Sequence, residues 1–219
     1  MSGIEGLMAE SDERWAHAAR RAQGLADDGL GEAVKIYYTR YFPAGVIMLL
    51  VAGTVSGMLA FGGVLADWAS FLVFGFFLAA LGVLIGGLVY NAKKVVPAAR
   101  TGRVDVLLSL ESEERKQVRR QIAGKAAVIP QHLMVTRGAA VQLRKGLATQ
   151  LVLQAPLFPL IFIPQAVNFA LRGDSVAAWV MAVGVVAAVI AVVLFVRDFR
   201  RAGRFLARTS DQANHGTSL

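Results

Sequence analysis

Tyr41–Ala66 reads YFPAGVIMLLVAGTVSGMLAFGGVLA and contains no charged side chain. An α-helix needs about 20 apolar residues to cross about 30 Å of hydrocarbon, and this stretch exceeds that length. Three more follow at Trp68–Ala92, Gly146–Leu171 and Ser175–Val196. Together they predict an all-α integral membrane protein with four transmembrane helices, arranged as two hairpins with a helical loop between them. The expected divisions are an N-terminal helical segment at 1–40, a first transmembrane hairpin at 41–92, a basic helical loop at 93–145, a second hairpin at 146–196 and a basic tail at 197–219.

Composition agrees. Hydrophobic residues make up 56% of the 219 and charged residues 17%, against about 25% charged in soluble domains. Cysteine is absent, which excludes disulfides, thiolate catalysis and thiolate metal sites.

The net charge of +8 is informative through its distribution. All of the 23 basic residues except Arg172 lie before the first stretch, between the second and third, or after the fourth. The positive-inside bias then places both termini and the 93–145 loop in the cytoplasm. No nucleic acid is expected as a partner, because no aromatic-interleaved basic module accompanies the charge. Residues 1–40 hold more acids than bases and no apolar core run, so no cleavable signal peptide is expected and the first stretch serves as the insertion signal. Arginine outnumbers lysine and Ala, Gly and Val are abundant, a usage that resembles high-GC bacteria and points to a bacterial plasma membrane.

Outside the apolar stretches the pattern is helical. Ile4, Met8, Trp15, Ala18, Ala22 and Leu25 form a narrow stripe that lies on the membrane surface or packs on the central loop. Asp27-Asp28-Gly29 reads as a turn, with a short helix from Glu32. Tyr37, Tyr38, Tyr41 and Phe42 then form an interfacial anchor. In the loop, Ser112-Glu113-Glu114 starts a helix with acids in its first turn, and Gly124 ends it. Another helix follows Ile129-Pro130, with Leu133, Ala140, Leu143 and Leu147 on one side, and runs into the third span. Tight turns are expected at Ala66-Asp67-Trp68 and at Arg172-Gly173-Asp174. The latter matches an integrin ligand, but three-residue matches are common and Gly and Asp are turn formers.

Four sets of residues are candidates for function. Gly53, Gly57, Gly75, Gly82 and Gly86 lie in small-residue rows four apart, which let helices approach closely in lipid, either within the chain or between copies in a homo-oligomer. Gln154, Gln165 and Asn168 accompany Pro156, Pro159 and Pro164 in the third span. The prolines should kink it and free carbonyls, and the amides either bond across helices or line a polar pathway. The basic residues Lys93, Lys94, Arg197, Arg200 and Arg201 flank the spans, where they set topology or contact anionic lipid headgroups. Arg115, Lys116, Arg119 and Arg120 add a further basic patch in the loop. The fourth set, His17, His132 and His215, has no metal-ligand spacing. No metal, cofactor or catalytic residue is therefore expected. The apolar stretches contain no ionisable side chain, which argues against proton-coupled transport.

Leu110-Glu111-Ser112-Glu113-Glu114-Arg115, followed by Val118, Ile122 and Gly124, resembles a segment of uncharacterised small polytopic membrane proteins of actinobacteria. The resemblance covers about fifteen residues, with Glu at the capping position of the usual Leu-Ser-x-Glu-Glu-Arg, and implies no activity. The expectation from the residues themselves is a non-enzymatic accessory or scaffold subunit in the lipid bilayer, which binds a protein partner or anionic lipid through its cytoplasmic helices. The competing expectation is an oligomeric channel or transporter for an uncharged small solute.

Overall fold

A computed structural model describes residues 2–60, 68–102 and 104–215. Among them the chain is almost wholly helical. In order, the elements are α1 (Ser2–Ala22), β1 (Ala26–Asp27), α2 (Leu30–Ile36), α3 (Phe42–Ala60), α4 (Trp68–Tyr90), β2 (Ala99–Arg100), α5 (Ser112–Ile122), α6 (Leu133–Leu153), α7 (Leu157–Leu171) and α8 (Ser175–His215). Short 3-10 turns at Val106–Ser109 and Pro130–His132 precede α5 and α6. Four helical stretches are long and apolar enough to cross a membrane: Leu30–Ala60, Ser70–Val95, Pro130–Leu171 and Ser175–Ser210. The expected turn at Ala66-Asp67 lies outside the described residues.

The described chain forms two compact units. The polar unit draws on residues 1–30, 96–147 and 197–219, and the apolar unit on 31–95 and 148–196. Each is built on a different force.

In the polar unit the core is an ordinary hydrophobic one. Ala18 and Ala22 of α1 pack with Val106, Leu107, Val118, Ile122, Val135, Ala140, Ala202 and Phe205. The N-terminal stripe therefore packs on the central loop from Trp15 to Leu25. Met8 is 65% exposed and takes no part, and the Ile4 side chain is outside those described. Gly138 is what lets α1 and α6 touch, since a Cβ there would stand 2.7 Å from that of Ala22. Leu143, expected inside with Ala140 and Leu147, is 42% exposed, whereas they are buried. A two-residue antiparallel ladder pairs Ala26 with Arg100 and Asp27 with Ala99.

Local chemistry sets the ends of α5. The Glu114 carboxylate accepts the Glu111 N–H at 2.8 Å, which satisfies one of the donors a helix start leaves open. At the other end Gly124 adopts φ +71°. The Gly124 N–H donates to Gln121 and that of Lys125 to Arg120, the Schellman pattern of a glycine-terminated helix.

In the apolar unit close backbone approach does the work. A Cβ on Gly53 would lie 2.9 Å from the Gly75 Cα, and one on Gly75 would lie 2.7 Å from the Leu50 carbonyl and collide with Thr54 Oγ1. Such proximity of α3 and α4 maximises dispersion where no water drives association. Gly57 meets the rings of Phe71 and Phe74, and Gly82 meets Leu49. Gly86 does not belong to this set. It is exposed, and a Cβ on it would meet nothing within 4 Å. Its neighbour Gly87 makes the approach, at 3.2 Å to the Val152 carbonyl.

That carbonyl is open because Pro156, four residues on, has no N–H to offer it. The helix duly breaks between Leu153 and Leu157. Tyr38 donates its hydroxyl to the Leu151 carbonyl at 2.6 Å in the same break. Of the three prolines expected to kink the span, only Pro156 interrupts it. Pro159 falls in the first turn of α7, where an absent N–H costs no intrahelical bond, and Pro164 lies buried inside α7. Two π-helical turns, Tyr37–Tyr41 and Asn91–Val95, continue the helices at the ends of α3 and α4. Arg172-Gly173-Asp174 is a turn. Gly173 has φ +78° and Asp174 Oδ1 accepts the Ala177 N–H at 3.0 Å, capping α8.

Candidate functional site

Three concave surfaces of the polar unit meet at Ala123, just past the end of α5. The first is a cleft of about 730 Å³ whose apolar floor includes Leu107, Ile122 and Leu147, and whose rim carries Arg119, Lys125, Arg197 and Arg201. The second, about 860 Å³, presents Arg201, Arg204 and Arg208 from α8. The third, about 450 Å³, presents Arg115, Lys116, Arg119, Arg120 and Lys125.

Helix geometry gathers these cations. Positions 197, 201, 204 and 208 recur every three or four residues and so share one face of α8. The core residues Ala202 and Phe205 hold another face of the same helix inward. The Schellman turn at Gly124 brings Lys125 back beside Arg119. Among the described residues, Arg115, Arg119, Arg120, Lys125, Arg204 and Arg208 form no ion pair. The two acids of the first cleft are already engaged. Asp105 accepts the Leu107 N–H at 2.9 Å, and Asp198 lies 3.5 Å from Arg197 and 3.7 Å from Arg201. Gln142 fixes the wall by accepting the Val106 N–H and donating to the Val104 carbonyl, both at 2.9 Å.

Of the flanking cations, Arg197 and Arg201 line this cleft and Arg200 does not. Lys93 and Lys94 are exposed in the second π turn of the apolar unit. Gln154 is exposed, while Gln165 and Asn168 are half-buried on α7. Among the described residues none of these three amides has a side-chain hydrogen bond. Among the described residues there is also no group of three His, Cys, Asp or Glu placed to hold a metal.

Behind the cleft lies an ion pair that no local pattern announces. Arg144 pairs with Asp27, its guanidinium sits 4.7 Å from the Phe199 ring centroid, and Gly203 leaves room for it. The other Asp27 oxygen accepts the N–H groups of Gly29 and Leu30 at 3.2 and 2.9 Å, starting α2. Asp28 pairs with Arg100 at 2.7 Å, and this hydrogen bond, against the opposing effect of desolvation, holds the Asp28 carboxyl below its ordinary range.

A second acid, Glu114, ties α1 to α5. It accepts from Ser11 at 3.1 Å and from Arg14 at 3.3 Å. Desolvation pushes its pKa up. The Glu111 N–H, Arg14 and Ser11 outweigh that and hold it below the ordinary value of 4.5. A depressed folded-state pKa contributes stability that is full above the ordinary value and is lost as pH falls through the folded value. Acid should therefore loosen α1. Trp15 stacks on His132 with centroids 3.7 Å apart, so its emission, read in a Trp68→Phe/Trp179→Phe background, should shift to the red in acid below that value. Glu114→Gln should flatten the transition, and an unchanged transition would assign it to another group.

No protein-family model, curated protein or solved structure matches this chain.

Proposed function

We propose that this chain is a non-enzymatic multi-pass protein of a bacterial cell membrane, with both termini and the 93–145 loop in the cytoplasm. In this reading it is an accessory or scaffold subunit that presents its polar unit to an acidic protein partner or to anionic lipid. The observation that carries it is the set of cations, unpaired among the described residues, that converge on Ala123 from α5 and α8. Concave surfaces lined mainly by one sign of charge focus potential and favour partners of the opposite sign.

Two measurements test it. Reporter fusions at Gly102 and at the carboxyl terminus should report cytoplasm, and a fusion at Asp174 the opposite side; an external carboxyl terminus would refute the topology. A pull-down with the full-length protein should recover an acidic partner that is lost on Arg115→Glu/Arg120→Glu, two exposed positions on α5. Retention of the same partners by that variant would remove the scaffold reading. A second reading, an oligomeric channel or transporter for an uncharged small solute, is supported by Gln165 and Asn168, half-buried amides at i, i+3 that have no partner among the described residues. Solute flux in proteoliposomes abolished by Asn168→Leu would favour it.

A further inference from the structure

We propose that the cleft of about 730 Å³ between α5, α6 and α8 is a binding site for one anionic phospholipid, with the headgroup phosphate between Arg119 and Lys125 on one rim and Arg197 and Arg201 on the other. The inference rests on the proposed membrane location and deepens the anionic-ligand reading by naming site and ligand.

Three observations converge. First, the cleft is amphipathic by construction. Its floor holds Leu107, Ile122 and Leu147, all under a tenth exposed, and its rim carries four cations against two carboxylates, with Arg197 and Arg201 sharing Asp198 and with Arg119 and Lys125 in no ion pair among the described residues. An ionic ligand without an apolar part would leave that floor unused, and an apolar one would leave the cations unused. Second, Leu147 lies at the start of the uncharged stretch Gly146–Leu171, and Arg197 directly follows Ser175–Val196. A ligand seated against both is therefore within one residue of segments that lipid covers. A phosphate held at the rim then leaves its acyl chains free to continue into the bilayer, and the cleft needs to hold only the headgroup and the first methylenes. Its volume falls within the usual range of about 300–1,000 Å³ for small-molecule sites. Third, no described lining residue is aromatic, so the cleft offers no stacking surface for a nucleobase.

The test uses the full-length protein in detergent, with lipid adducts counted by native mass spectrometry on addition of phosphatidylglycerol, phosphatidylcholine or inorganic phosphate. The expected result is preferential retention of phosphatidylglycerol. Arg119→Gln/Arg201→Gln should weaken it about tenfold or more, because each cation near a membrane surface contributes measurably to anionic-lipid affinity. All four cations are at least partly exposed, and Lys125→Gln alone is a second, milder variant that should weaken retention less. Equal retention of the two lipids by the wild-type protein overturns the proposal. So does unchanged phosphatidylglycerol retention in the double variant, or complete displacement of the lipid by inorganic phosphate, which would make this a free-phosphate site. Arg115→Glu/Arg120→Glu, outside this cleft, should leave lipid retention intact. Loss of partner capture there with normal lipid binding would count against neither the site nor the scaffold reading. Normal partner capture by wild type without lipid selectivity would fail the site alone.

Discussion

Arg144→Leu should unfold the polar unit while the helices of the apolar unit stay formed. The guanidinium is 18% exposed and its partner Asp27 11%. Removing one member of such a pair leaves the other as an uncompensated buried charge, at a cost of about 3–5 kcal/mol. The loss reaches further than the pair. Asp27 also holds the N–H groups of Gly29 and Leu30, so an unpaired carboxylate that turns to water would release the start of α2. Phe199 would lose its cation–π contact. Limited proteolysis should cut residues 1–30 and 197–215 rapidly in the variant and slowly in the wild type. Asp27→Ala should match it, and Asp27→Ala/Arg144→Leu should lose clearly less than the sum of the two singles, since neither charge is then stranded. Strict additivity would mean that the pair is not coupled.

Gly75→Ala is expected to lower thermal stability in detergent, with Gly86→Ala close to wild type. Both are single methyl additions in one helix, so propensity cannot distinguish them and would favour alanine in each. Space does. At Gly75 the methyl would fall 2.7 Å from a main-chain carbonyl of α3, which cannot swing aside, and the two helices must separate. Overpacking of this kind costs about 1–3 kcal/mol. At Gly86 the methyl points into open space beside a cavity of about 140 Å³ ringed by Tyr37, Tyr41 and Tyr90. Gly57→Leu should be damaging too, because it drives a large side chain into Phe71 and Phe74. Equal melting temperatures for the two alanine variants would show that α3 and α4 do not approach at Gly75.

The apolar helices were legible because a charge-free run of that length has one stable solution in lipid. The two ends of α5 were legible because its capping acid and its turn glycine each act within a few residues. What the sequence concealed depends on angular position and on distance along the chain. Gly86 and Gly87 are adjacent, yet 100° of helical rotation sends one into open space and the other onto Val152. The row of small residues does not say which of two neighbouring glycines faces the partner. The arginine-rich end of α8 reads as a solvated tail. Ala202, Phe205 and Thr209, all buried, sit at helical spacing among those arginines and were the signal for a packed face. Asp27 and Arg144 are 117 residues apart, beyond any local pattern. The cationic cleft is equally non-local, assembled from α5 and α8 only once both have packed.

The polar core has its first members at Ala18 and Ala22 and its last at Ala202 and Phe205, and all four uncharged stretches lie between these positions in the chain. That order imposes a schedule on biogenesis. While the ribosome is still making residues 31–196, that core still lacks Ala202 and Phe205. The unit can close only after the final apolar stretch has been synthesised and handed to the bilayer. A chain arrested or cut before residue 197 would thus carry its apolar helices complete and its polar unit open. Closure of that unit therefore requires that every preceding helix has been made.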